Sequence, residues 1–238
     1  MPLDVAGSPT VLLVGGGETA KGDVWLENNT GGDVKIDSAL LTVQVAGVDQ
    51  TGPIPLPSDA SIANNSFKRM SIGFGMEPFT APGQYVARVD LQTSIGNQTI
   101  PATLIVLANA QVAVLPEQPV FVGVVPGSTI TTAAIVRNVG NVNVTVASVP
   151  DEPLFEVVAG QRLLGVGAGG VVQVQPANSL VPLALDLTFT LATTPTIAPA
   201  GWARIGIDVS VPVGVSTGQH LRALPRIVND RFNLDLLT

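Results

Sequence analysis

The chain is 238 residues long, with 46% apolar but only 12% charged residues, about half the roughly 25% charged share of an ordinary soluble domain. It has no cysteine and one histidine, which excludes disulfide frameworks, thiolate or histidine-rich metal sites and cysteine nucleophiles. The formal charge of −7 argues against a nucleic-acid binder, which needs a cationic surface.

No run reaches the ~18 apolar residues of a membrane span. The opening Met1-Pro-Leu-Asp-Val-Ala-Gly7 lacks the basic-then-apolar order of a signal peptide. Helical periodicity is absent almost throughout. Val24-Trp-Leu-Glu, Val34-Lys-Ile-Asp, Val43-Gln-Val and Val142-Asn-Val-Thr-Val146 alternate with period two and are rich in branched side chains, the pattern of half-buried strands. Gly, Pro, Asn and Asp punctuate these runs every 8–12 residues or so, the rhythm of an all-β sandwich. Strands are expected at 9–14, 20–28, 33–46, 54–60, 66–74, 83–93 and 97–107, then at 119–124, 129–138, 142–149, 154–164, 170–175, 181–190, 202–212 and 217–228. The eighth run of the second set implies an added edge strand.

The two sets are similar in sequence. Gly17-Glu-Thr19 aligns with Gly127-Ser-Thr129, a shift of 110, and the same shift places Asn28 on Asn138, Val34 on Val144, Ile36 on Val146 and Ser38 on Ser148. Further on, Pro82-Gly83 to Val89 aligns with Ala200-Gly201 to Ile207, and Gly96 to Val106 with Gly218 to Val228. A repeat of this length is domain-sized. It divides the chain into domains 1–110 and 111–238, the second ending in an extra strand or tail over 229–238.

Residues 126–144, Pro-Gly-x-Thr, a strand, then Asn-Val-Gly-Asn-Val-Asn-Val, resemble the opening of many prokaryotic immunoglobulin-like domains. Ala81-Pro-Gly-Gln-Tyr-Val-Ala87 is similar to the immunoglobulin tyrosine corner, with Ala87 at the place of the second cysteine and Val24 or Leu26 at that of the first. The second copy departs from it, with Ala203 at the tyrosine position and Trp202 beside it. The resemblance implies two tandem immunoglobulin-like β-sandwich domains and identifies no activity.

Few residues carry chemistry. Gly165-Val-Gly-Ala-Gly-Gly170 matches G-x-G-x-x-G, but a strand-like Val171-Val-Gln-Val-Gln follows where a dinucleotide site needs a helix. It is read as a hairpin loop, and Gly15-Gly-Gly17 as a turn. His220 has no Gly-x-Ser-x-Gly elbow anywhere in the chain to serve and is read as a cross-strand pair member. Asp23/Glu27, Asp33/Asp37 and Asp151-Glu152 with Glu156 lack calcium-loop spacing. No metal or cofactor is expected. Trp25, Trp202 and Tyr85 lie in strand patterns and are read as core residues, and aromatic scarcity weakens a carbohydrate platform. Asn28, Asn64, Asn97 and Asn143 begin formal glycosylation sequons to which no role is assigned.

The C-terminal region holds the candidate partner-binding residues. Arg222, Arg226 and Arg231 crowd cations into the last 17 positions, either as a charged strand edge or as a patch for an acidic partner surface. Phe232, Leu234 and Leu236 follow at period two, and the tail either folds back as a strand or adds to another subunit. Low charge and scarce titratable groups favour a non-enzymatic structural protein that self-associates or packs with other structural subunits, in an extracellular, virion or cell-surface setting. The alternative is an adhesion module binding a glycan or peptide through end loops near 47–65 or 150–156.

Overall fold

The computed structural model describes residues 3–5, 10–14, 19–116, 119–166 and 172–238, and no helix occurs among them. The fold is all-β. The chain divides into two compact units, one of Met1–Ala110 with Gly140–Val142, the other of Gln111–Val139 with Asn143–Thr238.

The first unit holds β1 (Asp4–Val5), β2 (Thr10–Val14), β3 (Thr19–Asn28), β4 (Val34–Val45), β5 (Val48–Pro53), β6 (Ser61–Ile62), β7 (Ser66–Gly75), β8 (Gly83–Thr93) and β9 (Gly96–Val106). β3 pairs antiparallel with β7 over its whole length and with β1 near its end. On the other side β9-β8-β4-β5 run in order, all antiparallel. β2 joins the two parts into one nine-stranded sheet, parallel to β9 and touching β3 at Leu13–Lys21. Alternate residues of the facing strands, among them Val24, Leu26, Leu41, Met70, Ile72, Val89, Leu91 and Leu104, close a core from which water is excluded. The β4–β5 hairpin turns on Ala46 and Gly47, both at positive φ (49° and 81°), as a two-residue loop matched to strand twist requires.

The second unit holds β10 (Val112–Leu115), β11 (Val120–Val122), β12 (Thr129–Asn138), β13 (Val144–Thr145), β14 (Glu152–Val166), β15 (Val172–Leu191), β16 (Thr196–Ile197), β17 (Trp202–Ser210), β18 (His220–Ala223), β19 (Arg226–Ile227), β20 (Asp230–Arg231) and β21 (Leu234–Leu237). Eight of them form one curled sheet, β10-β12-β17-β15-β14-β18-β21-β11. The curl comes from β15, which pairs with β14 for most of its length and crosses to β17 at Thr188–Leu191. The runs expected at 170–175 and 181–190 are therefore one strand. It runs on through Pro176 and Pro182, which stand opposite Gln161 and Phe155 of β14.

The shift of 110 is realised in the ladders. β3 and β12 cover equivalent residues, and the pair Val34–Ile62 of β4 and β6 recurs as Val144–Ile197 of β13 and β16. Asn28 and Asn138 are both fully buried at the strand ends. Asn28 Nδ2 donates to Ile62 O and Gly32 O at 2.8 Å, and Asn138 Nδ2 donates to the equivalent Ile197 O at 2.9 Å. The later alignments do not hold. β17, at 202–210, pairs with β12 as β7 pairs with β3, so it is the counterpart of β7 and not of 82–89. The run at 217–228 is two short strands separated by Leu224 and Pro225, and the parallel partner of the unit's second strand, β9 for β2 in the first unit, is β21 for β11 in the second. Short Gly-rich strands look alike in sequence, whereas ladder partners are set by which faces bury together.

Replacing Asn28 with Leu would remove the donor to Ile62 O and the acceptor of the Thr30 N–H, and leave Thr30 Oγ1 and Gly32 O only their bond to each other. We expect a loss of about 3 kcal/mol of unfolding free energy, read as a lower urea midpoint; Asn138→Leu acts in the same direction.

Candidate functional site

The C-terminal tail lies within its own unit. β21 pairs antiparallel with β18 and parallel with β11, so it is an interior strand and not an added edge. Phe232, Leu234 and Leu236 are all buried in the second core, where they meet residues such as Leu221, Val209 and Ile207.

The three arginines separate into two environments. Arg222 faces Asp235 across the β18–β21 ladder and grips it with Nε and Nη2 at 2.6 and 2.9 Å. Those hydrogen bonds push the guanidinium pKa further up, against a smaller opposing effect of burial. His220 Nε2 stands 3.7 Å from the same carboxylate, a cross-strand neighbour sharing an acceptor that Arg222 already holds. Arg226 and Arg231 lie directly opposite one another on the β19–β20 hairpin, both exposed. The hairpin has a structural task as well, since Asn229 Oδ1 and Asp230 Oδ2 accept the Val112 and Val114 N–H groups of β10.

The carboxylates expected to cluster only weakly bind protein groups instead. Asp23 takes Arg69 at 2.6 Å and Ser71 at 3.0 Å, and its pKa is lowered, first by the Arg69 hydrogen bond. Asp33 accepts the Asn64 N–H and Asp37 pairs with Lys35. Among the described residues no three His, Asp or Glu converge as metal ligands. Gly165–Gly170 runs into residues 167–171, outside the described ones, and Gly15–Gly17 lies outside them too; the segment after the first, Val172 onward, is strand β15.

The tryptophans overturn the core assignment. Trp25 is 48% and Trp202 68% exposed. Alternation is the reason: Val24, Leu26 and Asn28 take the inward positions of β3, and Ile205, Ile207 and Val209 those of β17, so odd residues of β3 and even residues of β17 face out. Tyr85 is half-buried against the first core, its hydroxyl donating to Ala81 O at 2.6 Å, the hydrogen bond of a tyrosine corner.

These outward residues form two matching faces. On the first unit, Phe67 (57% exposed) stands opposite Glu27 and Arg69 opposite Trp25. On the second, Trp202 stands opposite Arg137 and Arg204 opposite Ile135. Since Glu27 and Arg137, and Trp25 and Ile135, are each 110 apart, the two sets occupy equivalent ladder positions. Leu115, also exposed, extends the second face on β10 beside Ile135. The first unit further carries an open depression of about 680 Å³, bounded by Pro53, Pro55, Leu56 and Pro57 and by β7 at Arg69–Gly73. Among the described residues no helix is long and apolar enough to cross a membrane.

No family model matches the sequence, and the curated proteins contain no match. Solved structures similar to the chain include the Dpr2 Ig1-Ig2 complex with DIP-Theta Ig1-Ig3 (11% identity, all of both chains, TM-score 0.31). The ASH/PapD-like domain of human CEP192 matches at 18% identity over 54% of this chain and 85% of that one, with a TM-score of 0.25. The Pseudomonas fluorescens alkylpurine DNA glycosylase AlkC matches at 11% identity and a TM-score of 0.32 over 43% of this chain, which spans only 30% of the AlkC chain.

Breaking the Arg222–Asp235 pair strands a nearly buried charge. Arg222→Met, which takes the guanidinium away from the buried Asp235 carboxylate, is expected to cost about 3 kcal/mol in urea unfolding, and adding Asp235→Leu to recover most of it.

Proposed function

We propose that the protein is a non-enzymatic structural subunit, two tandem immunoglobulin-like sandwiches that pack against copies of themselves or a larger particle. The immunoglobulin reading is supported by the ladders: β3–β7 and β12–β17 stand as strands B and E, and β4-β8-β9 and β14-β18-β21 as C, F and G. In the second unit the end of β15 beside β17 takes the place of strand D. The Tyr85–Ala81 hydrogen bond supports it further.

One observation carries the functional reading. Both units expose large apolar side chains at equivalent positions of the same sheet face, Trp25 and Phe67 on one, Ile135 and Trp202 on the other. Covering such surface is favourable by roughly 25 cal/mol per Å², and aromatic and arginine side chains are the residues that anchor interfaces. A face needed only to finish a lone domain would carry polar residues at those positions. An extracellular, virion or cell-surface setting suits a subunit of this kind.

The second reading, a glycan- or peptide-binding module, draws support from Trp202, which presents an exposed ring flanked on the ladder by Arg137 and Arg204.

Sedimentation velocity separates the two. The structural reading expects species above the 24.4 kDa chain mass, reduced by Trp25→Ser with Phe67→Ser or by Trp202→Ser while the circular dichroism spectrum is kept. A single 24.4 kDa species at every soluble concentration contradicts it. Array hits lost on Trp202→Ala in a chain that never self-associates would favour the module.

A further inference from the structure

The two faces match in shape of pattern and differ in charge. On the first unit, Glu27 has Phe67 on one side and Asp4 on the other, and neither carboxylate makes an ion pair among the described residues. At the equivalent place on the second unit, Arg137 has Trp202 on one side and Ala113 on the other. Arg69 of the first unit is neutralised by Asp23 at 2.6 Å. Its counterpart Arg204 has Ala133 where Asp23 would stand, and neither Arg204 nor Arg137 makes an ion pair among the described residues. Around Phe67 the first face therefore offers two carboxylates without an ion pair, and around Trp202 the second offers two guanidiniums without one, while Lys21 and Asp208 lie farther along β3 and β17.

We infer that the first-unit face of one copy docks on the second-unit face of the next, with Asp4 and Glu27 meeting Arg137 and Arg204 around the Phe67 and Trp202 rings. This rests on the self-association reading and specifies which surfaces meet. Packing like faces together would oppose like charges, which disfavours the contact. Unlike faces satisfy both the apolar area and the charges. Such a contact is heterologous, so repetition gives a ring where the rotation closes and an open filament where it does not. Since the paired charges steer the encounter, association weakens as salt rises.

Charge reversal in the full-length chain tests it. Glu27→Arg alone and Arg137→Glu alone are each expected to weaken self-association by about 10-fold or more in sedimentation velocity. An equimolar mixture of the two single variants, or the double variant Glu27→Arg with Arg137→Glu, is expected to regain it, because an acidic and a basic face are again available to meet. The rescue shows that the single variants are folded. Full self-association by either single variant overturns the inference while leaving the structural reading in place, as does failure of both rescues in chains that melt like the parent. A parent chain that stays monomeric overturns both.

Discussion

The strict two-sidedness of a β-strand governs this molecule. Once Val24, Leu26 and Asn28 are committed to the inside of the first unit, Trp25 and Glu27 have nowhere to point but out, and β7 must set Phe67 and Arg69 beside them. The same commitment by Ala134, Val136 and Asn138 projects Ile135 and Arg137, with Trp202 and Arg204 alongside. A slip of one residue would bury the charges and expose the core. The outward faces are thus fixed by the inward ones, and their chemistry is free to serve something other than folding.

The polar groups inside follow the same discipline. Asn28 and Asn138 each close a strand end by reaching the carbonyl of a short neighbouring strand, Ile62 in one unit and Ile197 in the other. Asp235, almost wholly buried, is held by Arg222 from the facing strand. No buried side-chain polar atom lacks a partner among the described residues. With its interior satisfied, each unit has no folding need for exposed tryptophan or phenylalanine, and the scarcity of aromatic residues in the chain makes their placement on two equivalent faces more telling.

Much of this could be read before the structure. Alternation located β3, β8, β9 and β12 to within a residue or so, and Asn28 with Asn138 revealed the equivalence of β3 and β12. Tyr85 was recognisable as a corner residue from its glycine two positions before. Three things were not accessible. Alternation places residues on two faces without naming the inner one, so Trp25 and Trp202, lying in strand patterns, were read as core, whereas Val24 with Leu26 and Ile205 with Ile207 take the inner face. Pairing is a long-range choice, so β17 was matched to the wrong strand of the first copy. And Phe232, Leu234 and Leu236, which read as a strand folding back or one donated elsewhere, lie in the structure between β18 and β11, a pairing that alternation does not specify.

The two tryptophans lie one on each proposed contact face, and the chain has no others. Their emission and acrylamide quenching, followed from nanomolar solution to the highest soluble concentration, therefore report directly on whether the faces become covered. The account predicts solvent-like, readily quenched emission in dilute solution that shifts to the blue and becomes shielded as the chains associate. Emission that stays solvent-like and fully quenchable in the associated state would contradict it.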